Sequence, residues 1–199
     1  TSEQGLGKEG YVLKIGSTVV VEASEETGAH WGTISILQIL KQTQGVIAKG
    51  IARDYPKFEV RAFMLDLGRK PFDLDTVRDF AKNMSWYKMN SFQLHLSDNL
   101  IFHEDYPDLE TAAAQSYAGF RLESDKKNEE TGVTLTSQDM YYSKADFREF
   151  VKDSQARGVS IVPEFDMPAH ALAITRVYEE YMSKKAGGGH AYLIEELNL

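Results

Sequence analysis

The chain has 199 residues, of which 42% are hydrophobic and 26% charged, with no cysteine. This is the make-up of an ordinary globular protein long enough to bury a core, and the lack of thiols excludes disulfides and thiolate metal sites. A formal net charge of −8 with no basic cluster excludes a phosphate-tracking, nucleic-acid role, and no apolar run reaches the ~18 residues of a membrane-spanning helix.

Thr1 to Gly5 lacks a signal-peptide pattern and reads as mid-protein sequence. Tyr11 to Ile15 alternates apolar and polar, Gly16-Ser17 turns, and Val19 to Ala23 resumes, which predicts a hairpin. Glu25 to Gln44 carries Ile34, Leu37, Ile39 and Leu40 at helical spacing and ends near Gly45. A short strand is expected around Val46 to Ile51. These elements read as the C-terminal part of a small α/β domain covering residues 1–55, with Asp54-Tyr-Pro56 as its boundary.

Residues 56–199 have a different rhythm. Val60 to Leu67 reads as a strand, and Asp73 to Tyr87 as an amphipathic helix that Asp73 caps ahead of Thr76. Phe92 to Leu96 is a second strand. Residues 99–140 form a polar, aromatic-rich insertion too long for a plain connector, the profile of a site-covering excursion. Ser143 to Arg157 is a helix opened by a Ser143/Asp146 capping box and stopped at Gly158. The β-branched Val159 to Val162 starts a third strand. Ala171 to Lys185 reads as a helix, broken at Ala186-Gly-Gly-Gly189, and Ala191 to Leu199 fits no single pattern. Alternating strands and helices imply right-handed crossovers and a parallel sheet, an α/β fold.

Two of these strands deliver polar groups at the same end. Phe92-Gln-Leu-His-Leu96 runs into Ser97-Asp98-Asn99, and Ile161-Val-Pro-Glu-Phe165 into Asp166 and His170. In parallel α/β barrels that end carries the site. A histidine flanked by Asp98 and Asp166 can be held in one tautomer as a proton relay, or Asp98 can simply cap a turn beside a satisfied rim histidine. His95, between Leu94 and Leu96, fits a packed histidine that orients its neighbours. His95, Asp98, Asp166 and His170 could also bind a divalent ion, but their spacing matches no sharp metal motif, so no metal and no cofactor is expected. Arg61 and Arg69 bracket the first strand of this region. Arg61 precedes the strand, which places it at the end away from such a site.

Three blocks carry a family resemblance. They are Arg61-Ala-Phe-Met-Leu-Asp66-Leu-Gly-Arg69, Trp86-Tyr-Lys-Met-Asn90-Ser-Phe-Gln-Leu-His95-Leu-Ser-Asp98, and Gly158-Val-Ser-Ile-Val-Pro-Glu164-Phe-Asp166-Met-Pro-Ala-His170. In order and spacing they resemble the family 20 glycoside hydrolases, the β-N-acetylhexosaminidases and their lacto-N-biosidase relatives. The resemblance implies a partial (β/α)₈ TIM barrel of about three βα units after the small domain. It also implies a retaining, substrate-assisted mechanism in which the sugar's 2-acetamido oxygen attacks the anomeric carbon. By position it assigns Asp98 and His170 to a relay toward the general acid, and Arg61, Asp166 and His95 to substrate binding. The implied partner is a glycan with a terminal β-linked N-acetylhexosamine or lacto-N-biose, with no nucleic acid and no membrane insertion, in a secreted or cell-surface setting, the cytoplasm being the alternative.

The chain departs from the family pattern twice. Asn99 replaces the second aspartate of the His-Leu-x-Asp-Asp block, and no Asp-Glu dipeptide occurs in the 199 residues. Three strands leave an open sheet edge, so the rest of the barrel is expected from the parent chain or another copy. The chain alone is expected to be inactive. The competing expectation is a non-catalytic carbohydrate-binding or adhesion module derived from such a barrel.

Overall fold

In the computed structural model, which describes residues 5–184, the first alternating pattern becomes the hairpin of β1 (Tyr11–Ile15) and β2 (Val19–Ala23). The pair is antiparallel, with Tyr11 opposite Ala23 and Ile15 opposite Val19. Period-two alternation sends Tyr11 and Leu13 to one face, where α1 (Glu26–Gln42) lies on them with Trp31. Ile34, Ile36 and Ile39 of α1 pack on the same cluster. β3 (Gly50–Asp54) completes a sheet of order β2-β1-β3. The sequence placed this strand at Val46 to Ile51. Pairing with β1 decides the matter, because Gly50 lies opposite Ile15 and Asp54 opposite Tyr11, which leaves Val46 outside the ladder.

The described chain divides into two compact units. One comprises the chain up to Ala62 with Phe80–Ser91 and Asp153–Ser160; the other comprises Phe63–Asp79, Phe92–Lys152 and the chain from Ile161 on. A second, open sheet contains β4 (Ala62–Asp66), β5 (Ser91–Leu100), β6 (Tyr117–Phe120) and β7 (Ser160–Phe165), with β5 pairing all three others. α2 (Leu74–Trp86) and α4 (Lys144–Ala156) are its crossover helices. Both start as their sequences direct. Asp73 accepts from Thr76 N at 2.7 Å, and Ser143 Oγ accepts from Asp146 N at 3.0 Å while donating to the Asp146 carboxylate at 2.6 Å. α4 ends at Gly158, whose φ of +77° is the left-handed closure a glycine adopts freely.

β5 runs four residues beyond the predicted Leu96. The insertion is the reason: it folds back as β6, antiparallel to Ser97–Leu100, with Gly119 opposite Asp98. The insertion also contains α3 (Leu109–Gln115), capped by Asp108 on Thr111 N at 2.7 Å. Ala112 and Ala113 of α3 bury themselves with Met182. After β7, the helix predicted over Ala171 to Lys185 is only α5 (Leu172–Thr175) followed by a 3₁₀ turn at Glu179–Tyr181. Arg176 donates instead to the carbonyls of Ala113 and Ser116, and this anchoring on the insertion outweighs helix propagation over so short a span. The glycine run at 186–189 and the segment 191–199 lie outside the described residues. No helix among the described residues is long and apolar enough to cross a membrane.

Candidate active site

Asp98 is the hub. Its side chain is fully buried in β5, and an unpaired carboxylate in such a place would cost several kcal/mol. Four donors satisfy it. Oδ2 accepts from His95 Nε2 at 2.6 Å and Arg69 Nη2 at 2.7 Å; Oδ1 accepts from the Asn99 backbone at 2.6 Å and His170 Nδ1 at 3.0 Å.

His95 is pinned at both nitrogens. Nε2 meets Asp98, and Nδ1 lies 2.8 Å from Glu164 Oε1, which also accepts on its other oxygen from Gln93. Burial alone would pull the His95 pKa down. Its hydrogen bonds to the Asp98 and Glu164 carboxylates outweigh it, and the pKa rises above the ordinary histidine value. Bonds from Gln93 and then His95 hold Glu164 below the ordinary carboxylate value. The expectation that His95 binds substrate meets a ring whose two nitrogens both have partners within the fold. With a carboxylate on each ring nitrogen, the His95 ring cross-links β5 to β7.

Arg69 follows β4 and enters the cluster from the loop. Its backbone N–H and Nη1 donate to the two Asp66 oxygens at 3.0 and 2.8 Å, and Nη2 pairs with Asp98. Burial pushes the Asp66 pKa up, but the two Arg69 bonds win and lower it. Gly68 lets the loop lie directly on β5, since a Cβ there would stand 2.7 Å from Asp98 N. Arg61, the arginine the resemblance assigned to the sugar, is not among the gathered groups. Its Nε donates to Lys88 O at 2.7 Å, Nη1 to Phe58 O at 2.9 Å, and Nη2 to Glu9. Arg61 and Arg69 lie beyond opposite ends of β4, so one strand cannot bring both to the same mouth. The rule that selected Asp98 and His170, polar groups after a strand's C-terminal end, also selects Arg69.

His170 takes a left-handed backbone, φ +55°, which turns its ring onto Asp98. Because the carboxylate accepts, Nδ1 carries the proton, and the 3.5 Å approach of Arg69 Nη2 to that nitrogen is a contact rather than a bond. The side chain is 47% exposed, so the other nitrogen is open to a proton-transfer partner. Asp166 joins the group: one donor atom each from Asp98, Asp166 and His170 lie within 4.8 Å of one another. Its backbone N–H donates to Ser97 Oγ at 3.2 Å, and its carboxylate stands 4.0 Å from His95 Nε2, too far for a hydrogen bond. Asp66, His95 and Asp98 make a second such set. Both sets share Asp98, whose lone pairs are already taken, and Arg69 supplies the compensating charge. The chemistry fits an arginine–imidazole network rather than a divalent cation.

The comparisons with known proteins agree with one another. The model of glycosyl hydrolase family 20, catalytic domain, matches residues 58–195, and that of glycosyl hydrolase family 20, domain 2, matches residues 1–55. The chain is 30% identical over 177 residues to the N,N'-diacetylchitobiase of Vibrio harveyi, covering 84% of this chain and 20% of that protein. It is 25% identical over 177 residues to the lacto-N-biosidase of Bifidobacterium bifidum, covering 88% of this chain and 13% of that one. The solved structure of Streptomyces plicatus N-acetyl-β-hexosaminidase in complex with thio-NAglucal matches with a TM-score of 0.70 at 25% identity, over 99% of this chain and 38% of that chain. The chain thus spans well under half the length of these relatives.

Proposed function

This chain belongs to glycosyl hydrolase family 20, and we propose that it forms the N-terminal part of the catalytic barrel of a retaining glycosidase that releases terminal β-linked N-acetylhexosamine, or lacto-N-biose, from glycans. The observation that carries the proposal is the buried Asp98 carboxylate, held by His170 Nδ1 on one oxygen and by the Arg69 fork on the other. Asp98 fixes the His170 tautomer, so the opposite ring nitrogen exchanges a proton with a general acid supplied by polypeptide outside these residues. Arg69 presents its planar fork of donors to sugar hydroxyls. Asp166, on the rim beside them, supports the pocket floor.

In the proposed reaction the substrate's acetamido oxygen attacks the anomeric carbon, and the acid protonates the leaving oxygen. The orienting carboxylate and the acid that such a step needs come with the remainder of the barrel, so the 199-residue chain alone has no turnover. The test is hydrolysis of 4-nitrophenyl N-acetyl-β-glucosaminide and of a 4-nitrophenyl lacto-N-bioside by the full-length protein. Release of nitrophenol from the first marks a hexosaminidase, and from the second alone a lacto-N-biosidase. Hydrolysis of neither substrate overturns the reading, and retained sugar binding would then favour the non-catalytic module.

A further inference from the structure

Arg121 lies in the insertion, one residue past β6, and is 0% exposed. A guanidinium is stable in such a place only when its five N–H groups all find acceptors. They do. Nε donates to Leu67 O at 2.7 Å, and Nη2 to Gly68 O at 2.9 Å and to the Tyr117 hydroxyl. Nη1 donates to Asp139 Oδ1 at 2.7 Å and to Met140 O at 2.9 Å.

Leu67 and Gly68 are the two residues immediately before Arg69. Their N–H groups both donate to His95 O at 2.9 Å, while their carbonyls both accept from Arg121. The two peptide units are therefore clamped between β5 and the insertion. The clamp is sterically tight, because a Cβ on Gly119 would stand 2.1 Å from Gly68 O. A second tie follows Arg69: Tyr142 donates its hydroxyl to Phe72 O at 2.6 Å and its backbone N–H to Arg121 O at 2.7 Å.

We propose that Arg121 is a positioning residue that sets the Arg69 fork against Asp98, so that the insertion tunes sugar recognition without touching the sugar. The inference rests on the proposed function, in which Arg69 binds substrate. Its geometry supports an action through Arg69 specifically: apart from the insertion's own Tyr117, Asp139 and Met140, the acceptors of Arg121 are the two carbonyls ahead of that residue. A lysine at 121 would keep the charge but could not span both carbonyls and Asp139, since its ammonium is a single point with three donors.

The test is a double-mutant cycle in the full-length protein, read as kcat/KM on 4-nitrophenyl N-acetyl-β-glucosaminide, or on the 4-nitrophenyl lacto-N-bioside where that is the substrate cleaved. Arg121→Lys is expected to lower kcat/KM by about tenfold to a hundredfold, the scale of a misplaced positioning group. In the Arg69→Ala background the same change is expected to lower it less than about threefold, because coupled residues are not additive. Equal losses in both backgrounds, or no loss from Arg121→Lys, overturn the inference. If Arg121→Lys does not fold, Asp139→Ala decides by the same criterion: its side chain is 43% exposed, and the change removes one anchor of the Arg121 fork while Met140 O remains. A wild-type protein inactive on both substrates removes the functional reading itself, whereas additive losses in an active enzyme remove only the role of Arg121.

Discussion

Replacing Asp98 by Asn is a test of the whole site, because the two side chains have nearly the same shape. The carboxylate accepts two donors on each oxygen: His95 and Arg69 on one, His170 and the Asn99 backbone on the other. An amide offers one oxygen and one NH₂. Whichever way it turns, the NH₂ faces two N–H donors, so two charge-assisted bonds are lost and two donors are stranded. At ~1.5–3 kcal/mol for each such bond, the ceiling is about 3–6 kcal/mol. Local rearrangement of the donors relieves part of it, which brings the expected loss to about 3 kcal/mol, the low end for breaking a buried ion pair. Urea unfolding of the full-length protein, read at the transition that includes this region, measures it as a lower midpoint at unchanged slope. A loss below ~1 kcal/mol would refute the assignment of Asp98 as the buried hub. Activity should fall with it, because the His170 tautomer is no longer fixed.

Two further predictions concern charge. The raised His95 pKa means that its stabilisation is complete below the ordinary histidine value of 6.5 and is lost as the pH rises through the folded-state value. The lowered Glu164 pKa has the opposite sign, with stabilisation complete above its ordinary value of 4.5 and lost as the pH falls through the folded-state value. The Tm of the full-length protein is therefore expected to be highest between those two values, and a His95→Gln variant that keeps the alkaline decline would contradict the assignment. Arg69→Ala should raise KM for the hexosaminide at least about tenfold, the scale of a lost charged contact. Arg61→Ala should instead lower the Tm by removing the counter-charge of Glu9, which keeps its bonds from Trp31 and Asn90, with KM shifted less than about threefold. A large KM effect at Arg61 would restore the assignment made by resemblance.

Local signals were legible, and long-range pairings were not. The β1–β2 hairpin, the Asp73 and Ser143 caps and the stop at Gly158 depend on residues within a few positions of one another, and each formed where its sequence placed it. The extension of β5 through Asp98 depends on β6, some twenty residues away, so periodicity in 92–96 had no access to it. The shortened α5 depends on Arg176 reaching α3, and the start of β3 on its register with β1. The gathering of Asp98, Asp166 and His170 was legible because they come at the C-terminal ends of paired strands, Asp98 late in β5 and the other two after β7. Arg69 obeys the same rule, whereas the assignment to Arg61 came from position within a motif, and the structure pairs Arg61 with Glu9 and backbone carbonyls instead. Glu164 and Gln93 gave no signal of their own, since each acts on the site only through a partner on another strand.

The balance of charge in the cluster bears on the chemistry. Asp66, Asp98, Glu164 and Asp166 contribute four carboxylates, against the guanidinium of Arg69 and the His95 ring. The surplus is negative; Asp98 is buried within it, while Glu164 and Asp166 reach the surface at 31% and 37% exposed. A negative field in a partly desolvated pocket favours any cation that forms there, and it favours the transition state over the neutral substrate because only the transition state carries that charge. In the proposed reaction, positive charge develops at the anomeric carbon and then on the acetamido ring that closes, and a negative field favours that step. Arg69 is a necessary exception within that field. Its fork bridges Asp66 and Asp98, and those two acids largely neutralise it, leaving the fork as a donor of hydrogen bonds to hydroxyls rather than a charge opposed to the one that develops. The same reasoning separates the two arginines: Arg61, paired with Glu9 among backbone carbonyls, has the charge but none of this geometry.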